Sequence, residues 1–192
     1  MNPTYGQRLL TWGNSCSGKS SLAEAIAESE GFTFVELDAL NWLPNWVGLN
    51  TTDPDRLEQL FREATEGDTW IAAGSYSEQA KAAFWPKLET IIWLDLPRHL
   101  LMRRCFKRCF LRWWNKELLW GTNRENFFAH FMVWRGEDSL FWWVWTQHAR
   151  KRRDSWRYMT DPKWSHIRWV HLRSEHEVNR FIESLKRPTN AN

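Results

Sequence analysis

Short apolar segments recur along the chain, and each is followed by a stretch with helical periodicity. The apolar segments either alternate with polar residues or run unbroken over a few positions, which is typical of β-strands. We expect strands at residues 8–12, 32–37, 69–73, 90–95 and 167–172. Apolar positions three and four apart predict helices at residues 20–30, 54–64, 98–113 and 175–186. Strands that alternate with helices predict an α/β fold with a five-stranded parallel sheet sandwiched by helices.

The second predicted strand ends in two acids, Glu36 and Asp38. Residues two apart on a strand face the same side, so we expect both carboxylates at one edge of the sheet. Further along, residues 114–156 are aromatic and basic with few helix breakers, and they predict one or two helices.

Composition and charge fit one globular domain over residues 1–192, with 43% hydrophobic and 26% charged residues. The net charge of +3 does not by itself indicate a nucleic-acid partner. Basic residues are concentrated, however, at 98–112 and 150–153, as a polyphosphate or a nucleic-acid backbone would require. The sixteen tryptophans favour core packing, with stacking platforms for bases or a membrane-interface belt as the alternatives.

The three cysteines are an odd number without a framework spacing, so we expect reduced thiols and a cytoplasmic protein. Cys105 and Cys109, four apart on a predicted helix, favour apolar packing over a metal site. The first residues lack the apolar core of a signal peptide, and no apolar run is long enough to span a bilayer. We therefore expect no membrane partner.

One segment carries a specific chemical signal, the pattern G-x-x-x-x-G-K-[ST] between the first predicted strand and the first predicted helix. Such a Walker A loop turns its backbone N–H groups and a helix N-terminus toward phosphates. Lys19 would reach the β- and γ-phosphates of ATP, and the Ser20 hydroxyl would bind Mg²⁺. The predicted nucleotide-binding residues here are Gly13, Asn14, Ser15, Cys16, Ser17, Gly18, Lys19, Ser20 and Ser21.

Further motifs accompany the loop in a fixed order. They are Leu37-Asp38 with Leu40 and Trp42, Pro44-Asn45-Trp46, Trp70-Ile71 with Gly74 and Tyr76, Ile92 to Arg98, and Arg104 with Arg108. As a set they resemble the adenylate-kinase-related proteins often labelled topology modulation protein, over residues 9 to about 185. The resemblance implies a P-loop NTPase fold of the nucleoside monophosphate kinase type. It also implies an acceptor-binding insertion at about 39–67 and a helical lid at about 111–153.

Two arginines follow the fourth predicted strand, and the resemblance implies roles for both. Arg104 would lie near the adenine ring and Arg108 near the phosphates, and both would assist catalysis together with Lys19 and Asp38. Their i and i+4 spacing places both on one helix face, and a guanidinium suits ring stacking and bidentate phosphate contacts. Arg150 and Arg153 are weaker candidates for lid arginines.

The chain departs from the family pattern at two places. The third strand ends in Ala73-Gly74, where the family usually has an acid that organises Mg²⁺. Glu36 is the expected substitute for the metal and Asp38 for the acceptor hydroxyl, an arrangement similar to that of shikimate kinase. No arginine follows Gly74 to bind a monophosphate, so the acceptor is not specified; Trp42, Trp46 and Tyr76 could line its site.

The expected function is an ATP-dependent kinase that transfers the γ-phosphoryl group of ATP·Mg²⁺ to an unknown small-molecule acceptor. The alternative is an ATP-binding regulatory or nucleic-acid-associated P-loop protein with weak or no transfer, which Ala73 and the basic clusters favour. The oligomeric state is not specified. Cys16 is open to two interpretations: it is a small residue that the loop tolerates, or loop amides and Lys19 lower its pKa, so that oxidation of Cys16 would block ATP binding.

Overall fold

A computed structural model describes residues 5–124, 127 and 139–186. The strands are β1 (Arg8–Gly13), β2 (Thr33–Glu36), β3 (Trp42–Leu43), β4 (Val47–Gly48), β5 (Trp70–Ala73), β6 (Thr90–Leu94), β7 (Leu118–Leu119), β8 (Asn123–Arg124) and β9 (Arg168–Leu172). The α-helices are α1 (Lys19–Glu30), α2 (Leu37–Asn41), α3 (Leu49–Thr52), α4 (Pro54–Ala64), α5 (Ser77–Ala83), α6 (Arg98–Trp114), α7 (Leu140–Thr160) and α8 (Glu175–Lys186).

The main sheet has five strands in the order β2-β5-β1-β6-β9, and every neighbouring pair is parallel. The predicted five-stranded parallel sheet is therefore confirmed. The strand β1 lies in the centre: the chain builds β2 and β5 on one side of it and then crosses to β6 and β9 on the other side. Such a switch point opens a crevice at the carboxyl ends of the strands, where α/β proteins bind their ligands. The phosphate loop follows β1 at that crevice.

Alternation along the strands divides the core between the two faces of the sheet. On β1, Leu10 packs in the cluster with Trp70 and Trp93, whereas Leu9 packs in the cluster with Ile71 on the other face. Helices α4 and α5 cover the first face, and α1 and α8 cover the second. Among the described residues, five tryptophans are buried, which confirms core packing for that part of the tryptophan content: Trp12, Trp70, Trp85, Trp93 and Trp164.

The predicted second strand extends too far. The strand β2 ends at Glu36, and Leu37 and Asp38 begin the helix α2. The cause is the burial of Leu37, which is fully enclosed against Gly74 at the end of β5, so close that a Cβ on Gly74 would lie 2.7 Å from the Leu37 Cβ. Glu36 and Asp38 consequently do not share a strand face.

The region after α6 contains a short hairpin, β7–β8, and the long helix α7. Residues 125–126 and 128–138, which belong to the predicted lid, lie outside the described residues. Two hydrogen bonds attach α7 to the central strand and its loop: Trp12 Nε1 donates to Ser155 Oγ at 2.8 Å, and Asn14 Nδ2 donates to the Val144 carbonyl at 3.2 Å. In the described part of the chain, no helix is both long and apolar enough to cross a membrane.

Candidate functional site

The phosphate loop follows the central strand, and contacts to its backbone hold it in shape. Gly13 has a φ of 147°, and a Cβ there would lie 2.6 Å from the Leu94 carbonyl oxygen, so only glycine fits beside β6. Ser75 Oγ donates to the Gly13 carbonyl at 2.7 Å and ties the loop to the segment after β5. Lys19 Nζ donates to the Asn14 carbonyl at 3.0 Å, so the lysine folds back over the loop that it follows.

The first turn of α1 is left available for an anion. Gly18 is the residue that precedes the helix, with a φ of 95°, and no side chain caps the first turn. The first N–H groups of a helix have no partner within the helix, and together with the helix dipole they favour a negative charge. This geometry is what phosphate binding requires.

The predicted metal ligands Ser20 and Glu36 lie together. The Ser20 side chain forms a hydrogen bond with the Glu36 carboxylate, and Glu36 is the registered neighbour of Ala73 across the β2–β5 pair. The pKa of Glu36 is raised to about 7. Withdrawal from water is the main cause, the hydrogen bond from Ser20 opposes it, and the nearby charge of Asp38 adds to it. Glu36 therefore lies beside Ala73, the position at which the resemblance implies an acid.

Lys19 and Asp38 also interact electrostatically at this edge of the sheet. Burial lowers the pKa of Lys19, and the charge of Asp38 is the largest of the influences that oppose the shift. Tyr76, which precedes α5, donates its hydroxyl to Asp38 Oδ1 at 2.6 Å. Burial, followed by the charge of Asp38, raises the pKa of Tyr76, so the phenol stays protonated and orients the carboxylate. Asp38 thus reaches the site from α2 rather than from the predicted strand.

The two predicted arginines of α6 lie on the loop side of the helix. Arg104 Nη1 donates to the Ser17 carbonyl at 3.0 Å, and its Nη2 donates to Glu175 at 2.7 Å. The charge of Arg108 contributes to the lowered pKa of Lys19, which places it near the same loop. Arg104 is held by the loop backbone and by α8, and its role at an adenine ring stays a prediction.

Lys151 was missed by the sequence reasoning, although it belongs to the basic cluster at 150–153. Withdrawal from water and then the charge of Lys19 lower the pKa of Lys151 to about 7, and Asp38 opposes this shift. Its Nζ lies 5.7 Å from the centre of the Trp143 ring. Neighbours in the cluster are engaged elsewhere, since Arg150 bonds to Gln147 and Arg152 to Asp95. The orientation of α7 determines that Lys151, rather than a neighbour in the cluster, lies near Lys19. The sequence alone does not contain that orientation.

Two converging cations, Lys19 and Lys151, repel each other unless an anion lies between them. The site can therefore hold a polyanion at the loop and keep the carboxyl group of Asp38 close to it. Among the described residues, no group of three or more His, Cys, Asp or Glu side chains could bind a metal unaided. A cation here would need oxygen ligands from a bound phosphate in addition to Ser20 and Glu36.

The part of the chain that contains the phosphate loop is similar to a known family. The sequence model of the ATPase family associated with various cellular activities (AAA) matches residues 9–95, from β1 to just beyond the end of β6. This range contains the phosphate loop and both acids, and it stops before α6. No curated protein matches the sequence at a significant level.

Solved structures match nearly the whole chain. A gluconokinase from Sinorhizobium meliloti 1021 has 20% identity and a TM-score of 0.50, and the match covers 94% of this chain and 96% of that chain. A sugar kinase from Janibacter sp. HTCC2649 has 17% identity and a TM-score of 0.51, covering 94% and 90%. A shikimate kinase from Acinetobacter baumannii, in complex with shikimate, has 14% identity and a TM-score of 0.52, covering 94% and 90%.

At these identities the matches speak to the fold and not to the substrate. The finer resemblance to the adenylate-kinase-related proteins stays a prediction. The chain therefore has the P-loop NTPase fold, in a form shared with small-molecule kinases.

Proposed function

We propose that this protein transfers the γ-phosphoryl group of ATP to a hydroxyl group of a small molecule. The observation that carries the proposal is that Lys19, from the phosphate loop, and Asp38, from α2, interact electrostatically at one edge of the sheet. A carboxylate beside the cation that neutralises the transferring group is where an acceptor hydroxyl would have to lose its proton.

On the donor side, the loop amides and the first turn of α1 would hold the phosphates. Lys19 would release the Asn14 carbonyl, 3.0 Å away, and move onto the β- and γ-phosphates. Arg108 and Lys151 add positive charge around Lys19. Electrostatic stabilisation of this kind is the main contribution that a protein makes to phosphoryl transfer.

The residues present fit Mg²⁺ as the accompanying ion. A serine hydroxyl and a carboxylate already in contact, Ser20 and Glu36, supply the oxygen ligands that Mg²⁺ prefers. Mg²⁺ usually takes its other ligands from phosphates and water, so a larger cluster is not needed. When bound, it would neutralise charge on the phosphates.

On the acceptor side, Asp38 would accept the hydroxyl proton while Tyr76 holds its other side. Tyr76 bonds to Oδ1 at 2.6 Å, which leaves Oδ2 for the acceptor. Lys151 would follow the phosphoryl group to the acceptor, because the charges of both Lys19 and Asp38 act on it. A sugar-like or other hydroxylated metabolite fits this set, as the gluconokinase and shikimate kinase neighbours also suggest.

The acceptor-binding insertion at about 39–67 and the lid at about 111–153 complete the proposal. Their hairpins touch: the Trp46 N–H donates to Asn123 Oδ1 at 2.9 Å, and Asn123 Nδ2 donates to the Leu43 carbonyl at 3.0 Å. The Trp46 and Trp120 rings meet edge to face at 5.9 Å. We call the contact of the β3–β4 hairpin with the β7–β8 hairpin the clasp. A closed clasp would exclude water from the transfer step.

The test is an ATP-consumption screen against sugars, sugar acids, other hydroxylated metabolites, nucleosides and nucleoside monophosphates. We expect at least one hydroxylated acceptor to stimulate ATP consumption, and Lys19→Ala to remove the stimulation. Lys163→Ala, at an exposed lysine beyond α7, is the matched control and should retain activity. Normal turnover by Lys19→Ala would contradict the proposal. The proposal would also be contradicted if the protein binds ATP but no acceptor stimulates its ATP consumption.

A nucleic-acid-associated role is the second candidate, and one face of α6 favours it. Exposed residues recur along that face at helical spacing, and they are rings or cations: Arg103, Phe106, Lys107, Phe110 and Trp114. Rings and cations together suit single-stranded nucleic acid. The test is fluorescence polarisation with single-stranded oligonucleotides across a salt series. Steep salt dependence that Lys107→Ala reduces would support this role, and salt-independent or absent binding would remove it.

A further inference from the structure

All three cysteines of the chain lie together beside the phosphate loop. Cys105 and Cys109 are fully buried on α6, with their Sγ atoms 4.0 Å apart. Cys16, in the loop and half-buried, packs against the same apolar cluster, and its thiol is hydrogen-bonded to the thiol of Cys105. Residues separated by almost half the chain therefore bring a partly accessible thiol against a buried one.

The surroundings of Cys16 suit a reactive thiol. The helix α1 begins three residues later, at Lys19, and its dipole favours negative charge. Cys16 and Lys19 interact electrostatically, and the Arg104 guanidinium lies at the Ser17 carbonyl next to it. Cations and a helix N-terminus stabilise a thiolate, and a reactive, accessible cysteine beside a second cysteine is the arrangement of redox-sensing sites.

We propose that Cys16 and Cys105 form a redox modification site, at which a peroxide oxidises the two thiols to a disulfide that ties the phosphate loop to α6. The Cys16 thiolate attacks one oxygen of hydrogen peroxide, the O–O bond breaks, and a sulfenic acid and hydroxide form. Cys105 then attacks the sulfenic sulfur, the S–S bond forms, and the S–O bond breaks. The protons of the two thiols leave in water, so two thiols lose two electrons and one peroxide becomes two waters.

The contacts of the three thiols set this order of events. Hydrogen bonds with Cys109 and then Cys16, together with burial, raise the pKa of Cys105, so Cys105 stays protonated until Cys16 has reacted. Cys105 is the partner of Cys16 because their thiols are in contact. A bond between Cys105 and Cys109 would join one turn of α6 to the next and leave the loop unconstrained.

The cross-link would act on the loop because α6 already touches it at the neighbouring position, through Arg104 and the Ser17 carbonyl. Cys16 has a φ of 64°, a left-handed conformation that the loop imposes on a residue with a side chain. Two thiols in contact must approach to about 2.05 Å to form the bond. That movement would turn the adjacent loop amides away from the phosphates, so oxidation would weaken nucleotide binding. Only this consequence rests on the proposed function.

The experiment treats the full-length protein with hydrogen peroxide, blocks the remaining thiols and maps unreduced peptides by mass spectrometry. We expect a Cys16–Cys105 cross-linked peptide that dithiothreitol reverses, with reduced thiols falling from three to one. We expect ATP·Mg²⁺ affinity to fall by about tenfold or more and to recover on reduction. ATP bound beforehand should slow the cross-linking.

Variants of the two buried cysteines separate the partners. Cys109→Ala should still form the cross-link, whereas Cys105→Ala should not and should leave Cys16 as a sulfinic acid that dithiothreitol cannot reduce. Cys105→Ser, together with thermal melting of each variant, controls for loss of packing at the fully buried Cys105.

Three results would overturn the site. They are a cross-link between Cys105 and Cys109, oxidation of Cys16 without any cross-link, and equal loss of cross-linking in Cys109→Ala and Cys105→Ala. A cross-link that leaves ATP affinity unchanged would overturn the effect on the loop. A reduced protein that does not bind ATP would instead contradict the proposed function, and the peptide map would still decide whether the disulfide forms.

Discussion

The proposed donor and acceptor sides of the site are built in different ways. The donor side is one continuous segment, residues 13–20, whose shape follows from its glycines and from the helix that begins at its end. The acceptor side draws on separate elements, with Asp38 from α2, Tyr76 from the start of α5, Lys151 from α7 and Asn123 from β8. Nothing in the local sequence determines how these elements are placed relative to one another.

This difference predicts that nucleotide binding is independent of acceptor binding and turnover. A loop that sets its own geometry can bind nucleotide whatever surrounds it, whereas the acceptor side needs the packing of α2, α7 and the two hairpins. Changes on the donor side should therefore alter nucleotide binding. Changes on the acceptor side should alter turnover or acceptor affinity while nucleotide binding remains.

The largest effect on the acceptor side is expected from Asp38→Asn. The amide keeps the size of the carboxylate and can still accept the Tyr76 hydrogen bond, but it cannot take up a proton. We expect kcat to fall by about 10²–10⁴-fold, the range for loss of a general base. Steady-state kinetics with the acceptor from the screen measure this, and Asp55→Asn, at an exposed position on α4, is the control. Unchanged kcat would remove Asp38 from the reaction.

The next largest effect is expected from Lys151→Met, which keeps the length of the side chain and removes its charge. Hydrogen bonds to charged groups contribute about 1.5–3 kcal/mol, so we expect a loss of about 10- to 100-fold in kcat. Lys163→Met is the matched control. A variant with normal kcat would show that Lys151 does not contact the transferring group.

Lys151 also makes a pH dependence testable. Its pKa is about 7 in the folded protein and that of an ordinary lysine when unfolded, so the unfolded chain binds more protons between pH 7 and about 10. Lys151 therefore lowers stability most at pH 7 and below, and this cost disappears as the pH rises through that window. Thermal melting should show Lys151→Met gaining stability relative to the parent at pH 6 and less at pH 9. The reverse trend would contradict the burial of this ammonium group.

Glu36→Gln tests the donor side at its border with the acceptor side. The amide keeps a hydrogen bond to Ser20 but is a weaker ligand for Mg²⁺, so we expect about tenfold more Mg²⁺ to be needed for half-maximal turnover. A Mg²⁺ titration of turnover measures this, and Glu28→Gln on the exposed side of α1 is the control. An unchanged Mg²⁺ requirement would mean that Glu36 does not replace the acid absent at Ala73.

The smallest effect is expected from Asn123→Ala, which removes both hydrogen bonds that this side chain makes in the clasp. We expect KM for the acceptor to rise about fivefold, in line with about 0.5 kcal/mol for each of the two lost hydrogen bonds, and KM for ATP to stay constant. Equal changes in both constants would show that the clasp does not belong to the acceptor side.

Much of the fold could be predicted because its signals are local. Hydrophobic alternation identified the five strands, and Asp53 opens α4 as its sequence indicates, with its carboxylate accepting the Arg56 N–H at 3.1 Å. The predicted end of β2 was wrong because Leu37 follows the strand pattern in the sequence. In the structure Leu37 is buried against Gly74, a contact that exists only once the sheet is packed.

Some contacts of the candidate site could likewise be predicted from the sequence, and others could not. The contact of Ser20 with Glu36 could be expected, since parallel strands bring their carboxyl ends to one edge. The bond from Tyr76 to Asp38, the selection of Lys151 within its cluster and the clasp through Asn123 could not. Each depends on how elements far apart in sequence are oriented, and a single sequence carries no signal for those orientations.

The most direct test of the account is the ATP·Mg²⁺ affinity of Lys19→Ala and Asp38→Asn, measured side by side with the parent protein by calorimetry. The account predicts that Lys19→Ala binds at least about 30-fold more weakly, because a buried cation on the phosphates is lost. It predicts that Asp38→Asn binds within about twofold of the parent, because the loop holds the nucleotide unaided. Equal loss of affinity in both variants, or full affinity in Lys19→Ala, would contradict the separation of the donor side from the acceptor side.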